Sequence, residues 1–252
     1  MKAILAKHDV ETTAPAAFSA VEQPDPEPAA GDLLVRVAAI GMNPVDYKAR
    51  VLFGQDAVLG WDACGTVEQV GAEVTGFKVG DRVYYAGDIT RPGTNSELHL
   101  VDHRIAGRAP AELDAADAAA MPLTTLTAWE GLSDRLGFAA EAGANTGKSV
   151  LIIGGAGGVG SVAIQLARWA CLKVYATAAR PETIEWCKKL GADATLNHRN
   201  PLDEELKAAG TDGVDAIFCT GQTKQHWNAM AECVRPQGGV VIIADPEGPM
   251  DI

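Results

Sequence analysis

The run Gly-Ala-Gly-Gly-Val-Gly from Gly155 to Gly160 has the spacing of a turn that can cradle a pyrophosphate. Of its G-x-G-x-x-G glycines, Gly155 would allow a tight turn, Gly157 would let backbone approach the anion, and Gly160 would let a helix pack on a strand. The run follows the apolar stretch "SVLIIG" and opens the amphipathic stretch "GVGSVAIQLARWA". That places the N–H groups of Gly158 and Val159 at a helix N-terminus, where the positive end of the dipole meets an anion. A purely structural turn is the rival reading, since glycine-rich turns are common. The strand before it and the helix after it favour dinucleotide binding. A second run, "GANTGKS" at 143–149, imitates a phosphate loop, but it has one residue too few between its glycines and precedes its strand, so it reads as a surface turn.

The end of the next strand selects the dinucleotide. An acid there would accept hydrogen bonds from ribose hydroxyls and repel a 2′-phosphate. The sequence instead offers Thr177 and Ala178, with Arg180 two places further on. Uncharged residues with a nearby guanidinium favour NADPH, because Arg matches phosphate geometry. The alternative for Arg180 is a solvated residue at a helix start. His198 and Arg199, after the third strand, are further candidates for the 2′-phosphate. Thr220, Ala244 and Asp245 follow the fourth and fifth strands, at the carboxyl edge where ligands of such sheets bind.

These residues need a particular scaffold. From residue 149 onward, apolar runs alternate with amphipathic ones: "SVLIIG", "KVYATAA", "DATLN", "VDAIFCT" and "GVVIIAD" are separated by helical patterns. Continuously apolar strands alternating with helices predict a parallel sheet covered on both faces. Pro181 suits a first helical turn, and Gly191 and Gly210 suit C-terminal caps. Before about residue 120 the strands are short and bounded by Gly, Pro and Asp, which predicts a mostly-β domain. "ELDAADAAAMPLTTLTAWEGL" predicts a helical hinge between the two. The expected organisation is an α/β chain with domains at 1–120 and 121–252.

Bulk properties set outer limits. With 252 residues and 47% hydrophobic content, both halves can bury a core. Thirty-three acids against 21 Lys and Arg give a formal charge of −12, which disfavours a nucleic-acid partner. There is no run long enough to span a membrane and no signal-peptide pattern, so the chain reads as cytosolic. Five cysteines without a C-x-x-C pair signal neither a disulfide framework nor a thiolate metal site.

Taken in order, "GMNPVDYKAR", "VLGWDACGTVEQVG", "FKVGDRVYYAG", "MPLTTLTAWEGL", "IIGGAGGVGSVAIQLAR" and "ATAARPETIEWCKKLGAD" resemble the medium-chain dehydrogenase/reductase superfamily along the whole chain. The closest resemblance is to its zinc-independent quinone oxidoreductase and enone reductase branch. This implies a GroES-like mostly-β substrate domain followed by a Rossmann doubly wound parallel sheet, and NADPH-dependent hydride transfer to a quinone or an α,β-unsaturated carbonyl.

Where zinc-binding members carry Cys, His and Glu, this chain carries Asn43, Trp61 and Asp62, and no metal is expected. His99 and His103 lie four apart, yet "ELHLVDHR" alternates like a strand, which separates them. By position in the family, Asn43 would hydrogen-bond near the nicotinamide ribose or the acceptor oxygen, its rival role being a turn-forming Asn before Pro44. Lys48 would relay a proton or touch the ribose, against the alternative of a solvated lysine. Asp46 would orient the segment, Trp61 would form a pocket wall or core, and Thr127 would face the nicotinamide.

The chain ends at "IIADPEGPMDI", just past the fifth expected Rossmann strand. The resemblance implies a sixth strand and a segment returning to the substrate domain, so a fragment and a naturally shortened form both fit. An NADPH-binding fragment or sensor without turnover is therefore the alternative to the enzyme. A homodimer paired through sixth strands would lack its usual edge.

Overall fold

The computed structural model describes residues 1–244, so Asp245 lies outside the described residues. The chain divides into two compact units, with the boundary between Leu123 and Thr124.

The first unit follows the short alternating runs. Its elements are β1 (Lys2–Ala6), β2 (Phe18–Glu22), β3 (Asp32–Gly41), α1 (Pro44–Leu52), β4 (Ala57–Val58), β5 (Asp62–Val70), β6 (Arg82–Ala86), β7 (Leu98–Asp102), β8 (Gly107–Arg108) and α2 (Ala115–Ala119). Two antiparallel sheets result, ordered β2-β1-β4 and β7-β3-β5-β6-β8. Because strand side chains alternate between faces, Leu33, Val35, Ala63, Val67, Val83, Tyr85 and Val101 all reach one core. The β3–β5 register shifts twice, between Leu34 and Val35 and between Val37 and Ala39. The second shift sets Gly41 opposite Asp62, and so fixes where the chain leaves the sheet toward Asn43.

Helix α1 starts as its sequence dictates. Pro44 occupies the first turn, the Asn43 N–H donates to Asp46 Oδ2 at 2.7 Å, and the Asp46 N–H donates to the Asn43 carbonyl at 3.0 Å. Near its end, buried Arg50 donates to the carbonyls of Lys7 and Val10 and to Thr12 Oγ1, fastening the loop after β1.

The expected hinge is three pieces. After α2 comes α3 (Pro122–Trp129), and then a π-helical turn at Glu130–Arg135. Pro122 accounts for the break, since proline begins a helix readily and cannot continue one.

The second unit holds β9 (Ser149–Ile153), α4 (Gly158–Trp169), β10 (Lys173–Thr177), α5 (Pro181–Leu190), β11 (Ala194–Leu196), α6 (Leu202–Ala208), β12 (Val214–Cys219), α7 (Thr223–Cys233) and β13 (Val234–Ile242). All pairings are parallel, in the order β11-β10-β9-β12-β13. The continuously apolar strands bury both faces. Val150, Ile152, Val174, Ala176 and Phe218 face α4 and α5, while Leu151, Ile153, Tyr175, Ile217 and Cys219 face α6 and α7. Pro181 lies in the first turn of α5, and Gly191 closes that helix at φ 111°. Strand β13 starts earlier than "GVVIIAD" suggests, pairing Val234 with Val214 before a shift that brings Gly239 opposite Ala216. No helix among the described residues is long and apolar enough to cross a membrane.

Candidate functional site

The glycine turn joins β9 to α4 at the carboxyl edge of the parallel sheet, with Gly157 as the residue before the helix. Here the structure redistributes the expected roles. The tight bend falls on Gly154, at φ 85°, and not on Gly155. A Cβ on Gly155 would come within 2.8 Å of the Ala176 Cβ, so this glycine serves the packing of the turn on β10. Within the turn Gly160 lies closest, since its Cβ would stand 2.2 Å from the Gly154 carbonyl oxygen. Helix α4 can therefore sit directly on the turn, and its opening N–H groups at Gly158, Val159 and Gly160 have no carbonyl one turn back to bond within the helix. This cradle of backbone donors at a helix N-terminus fits the pyrophosphate of a dinucleotide.

Two threonines hold the bend. The Gly154 N–H donates to Thr177 Oγ1 at 2.9 Å, and Thr220 Oγ1 donates to the Ile153 carbonyl at 2.8 Å. Thr177, expected at the cofactor, is buried with its hydroxyl against the underside of the turn. Ala178 is buried as well. Ala244, just past β13, accepts from Thr223 Oγ1 at 2.8 Å through its carbonyl. Thr127 lies half-buried on α3 in the same unit.

Arg180 caps α5 immediately beyond β10, the strand next to β9. Its Nε lies 2.8 Å from Glu182 Oε1, and both side chains are 67% exposed, so this pairing is weak and easily exchanged for a phosphate. His198 follows β11, one strand further out, about 10 Å from β9 by strand spacing. Its ring stands edge-on to buried His226 at 6.3 Å. Burial, with His198 alongside, lowers the His226 pKa. Of the two residues, Arg180 follows the strand nearer to β9.

In the first unit the chemistry gathers on Asp62. Its side chain is fully buried. Asn43 Nδ2 donates to Asp62 Oδ2 at 2.8 Å, and the Leu123 N–H, in the first turn of α3, donates to Oδ1 at 2.9 Å. Burial is the largest influence on this carboxyl and raises its pKa to about 6, against the pull of the Asn43 and Leu123 donors. Burial likewise raises the Asp46 carboxyl, whose Oδ1 is buried without a hydrogen-bond partner. Sequence reasoning passed over Asp62 except as a missing ligand; what it lacked was the double register shift that sets the end of β3 against β5.

Asn43 and Asp46 line an open groove of ≈ 580 Å³ together with apolar Ile4, Phe18, Ile40 and Met42 and polar Asn95 and Glu97. Tyr47 lines the same groove, whereas Lys48 lies exposed outside its wall. The tyrosine is the groove residue that the sequence reading missed, one place before the lysine it singled out.

His99 and His103 are apart, as the strand reading required. His99 lies on β7, stacked on Tyr85, with Nδ1 3.0 Å from the Tyr85 hydroxyl and Nε2 3.0 Å from the Pro92 carbonyl. Burial lowers its pKa to about 4, so it is a neutral core residue. His103 Nδ1 lies 2.9 Å from the Gly31 carbonyl. Among the described residues, one trio could offer three metal-ligand atoms within 4.8 Å of one another, His8, Asp9 and Asp56, and it was not anticipated.

A family model described as alcohol dehydrogenase GroES-like domain matches residues 29–110, and one described as zinc-binding dehydrogenase matches 158–252. A zinc-type alcohol dehydrogenase-like protein of Staphylococcus aureus is 45% identical over 228 residues, covering 90% of this chain and 68% of that protein. A quinone oxidoreductase of Lama guanicoe is 33% identical over 237 residues, with the same two coverages of 90% and 68%. Among solved structures, a Rhizobium etli protein described as a putative zinc-dependent alcohol dehydrogenase superimposes with TM-score 0.91 at 46% identity, covering 98% of this chain and 73% of that one. Escherichia coli quinone oxidoreductase complexed with NADPH gives TM-score 0.80 at 27% identity, over 95% and 72% of the two chains. The chain belongs to the medium-chain dehydrogenase/reductase superfamily, in its quinone oxidoreductase branch.

Zinc-type names among its relatives pose a direct question for this superfamily member. The residues at the zinc-ligand places do not fit the metal. Asn43 offers an amide already bonded to Asp62, and Trp61 is buried with its Nε1–H donating to the Asp88 carbonyl at 3.1 Å. An indole N–H has no lone pair for a metal, which leaves one carboxylate where a tetrahedral site takes three protein ligands. The segment from Asp88 to Pro92 is instead held by Arg91, whose two terminal nitrogens donate to Asp32 at 3.0 and 2.9 Å.

Proposed function

We propose that this chain is an NADPH-dependent reductase of quinones or α,β-unsaturated carbonyls that works without zinc. The observation that carries the reading is the Asn43–Asp62 hydrogen bond at the place of the metal ligands. Oxidising an alcohol benefits from a Lewis acid that lowers the hydroxyl pKa. Reducing a conjugated acceptor does not need one, because a hydrogen bond to its oxygen and a proton suffice. The quinone oxidoreductase of E. coli, solved with NADPH, supports both the cofactor and the acceptor class.

A reduced nicotinamide cofactor, held through its pyrophosphate by the glycine turn, would supply the hydride. The chain's own residues bind and orient. The N-terminus of α4 holds the pyrophosphate, Thr177 and Thr220 keep the bend at Gly154 in place, and Arg180 takes the 2′-phosphate. Thr127 faces the nicotinamide, and the Asn43 amide bonds the acceptor oxygen. Tyr47 in the groove wall and Lys48 beside it on α1 are the groups offered for passing a proton to the reduced acceptor.

Arg180→Ala tests the cofactor choice. The NADPH dissociation constant should rise about 10- to 100-fold, the worth of one charge-assisted contact, while that for NADH stays within about twofold. Nicotinamide fluorescence titrations read both. Equal weakening of the two would remove Arg180 from the phosphate site.

A further inference from the structure

Asp62 is a costly residue with no obvious need to be charged. Its backbone is fixed on both sides, paired with Gly41 in β3 and Ala86 in β6, and its carbonyl accepts from Thr94 Oγ1 at 3.3 Å. Its side chain is fully buried, so it cannot itself meet a substrate. Its two oxygens accept from two different elements, Oδ2 from the Asn43 amide before α1 and Oδ1 from the Leu123 N–H in the first turn of α3.

Among the described residues, no cation balances the charge. From α1 it faces another acid, Asp46. Its strand partners Gly41 and Ala86 are uncharged, and α2 contributes Ala118 and Ala119 to the core beside the strand. The start of α3 offers the Leu123 N–H and the positive end of its dipole. A buried carboxylate without a cation lowers stability, and an apolar residue of similar size would pack the space more cheaply.

We propose that Asp62 is a positioning residue whose ionised carboxylate fixes the edge of the Asn43 amide that meets the acceptor, anchoring the site where the zinc enzymes of the superfamily use their metal. The inference rests on the reading that Asn43 bonds the acceptor oxygen. With the carboxylate ionised, it takes one hydrogen of Asn43 Nδ2 and so holds the second Nδ2 hydrogen for the acceptor oxygen. Once protonated, the same carboxyl can donate, and the favourable arrangement turns the amide over, exchanging donor for acceptor. The orientation of Asn43 is thereby coupled to the protonation of a residue the substrate never touches.

The side-chain amide signals of Asn43, followed by NMR through a pH titration of the full chain without cofactor, read this directly. They should shift with a single midpoint near pH 6, and the shift should be absent in Asp62→Asn. The same variant should lose about tenfold to a hundredfold in kcat with a quinone acceptor, while NADPH affinity changes less than about twofold. An Asn43 amide that stays constant through the titration, or an Asp62→Asn variant with wild-type kcat, would overturn the positioning role. A wild-type chain that binds NADPH but turns over neither quinone nor enone would sink the functional reading instead, and the amide titration would still decide the role of Asp62.

Discussion

Gly160→Ala is expected to abolish NADPH binding and destabilise the fold together. The new methyl would stand 2.2 Å from the Gly154 carbonyl oxygen and 2.8 Å from the Gly155 Cα, both of them backbone atoms that no rotamer change can clear. Helix α4 would have to retreat from the turn, carrying with it the N–H groups that meet the pyrophosphate. Overpacking of this kind costs about 1–3 kcal/mol in stability. Misplacing several charge-assisted bonds at once should weaken NADPH by at least about 100-fold. Gly157→Ala is the control, because its Cβ would find the nearest atom, the Gly154 oxygen, at 3.3 Å. That variant should keep nearly all of its stability and lose affinity only through the lost approach of backbone to phosphate. Thermal unfolding and a fluorescence titration on the two variants separate the effects. Equal melting temperatures would show that the turn tolerates a methyl at Gly160.

Asp62→Asn should do the reverse, raising stability while harming function. Burial raises the Asp62 carboxyl from 3.8 to about 6, so the folded state binds this proton about a hundredfold more tightly than the unfolded state does. The sign follows from that. Above about pH 6 the folded chain carries a charge it disfavours, a penalty of up to about 3 kcal/mol relative to a neutral residue. As pH falls from 6 toward 4 the folded state takes up its proton first, and the penalty disappears. Denaturant unfolding should therefore find the variant more stable than wild type at pH 8, with the advantage gone by about pH 4. A variant equally destabilised at both values would mean that the two hydrogen bonds of Asp62 outweigh its desolvation.

The sheet of the second unit was legible because two signals agree there: continuously apolar strands, and Pro and Gly where α5 begins and ends. The glycine turn was legible in position but not in detail. The spacing rule assigns the bend to Gly155, whereas the bend falls on Gly154 because Gly155 is pressed against Ala176. Thr177 was singled out as a strand end, and the sequence does not show that its hydroxyl turns inward to the Gly154 N–H. Nor does "GANTGKS" show that its Asn145 is buried, with its amide bonded to the carbonyls of Ala139 and Ala170. In the first unit the replaced ligand positions were plain from the resemblance alone. The Asn43–Asp62 bond was not, since it depends on register shifts in β3 that no local pattern encodes. Lys48 and Tyr47 illustrate the same limit: the family resemblance singles out one, and the turn of α1 places the other in the groove wall.

Oxidation of NADPH by a simple quinone, catalysed by the purified chain after exhaustive treatment with a zinc chelator, tests the central claim most directly. The account predicts quinone-dependent turnover above the uncatalysed background, unchanged when zinc is added back. Turnover that vanishes with the chelator and returns with zinc, or NADPH that binds and is never oxidised, would contradict it.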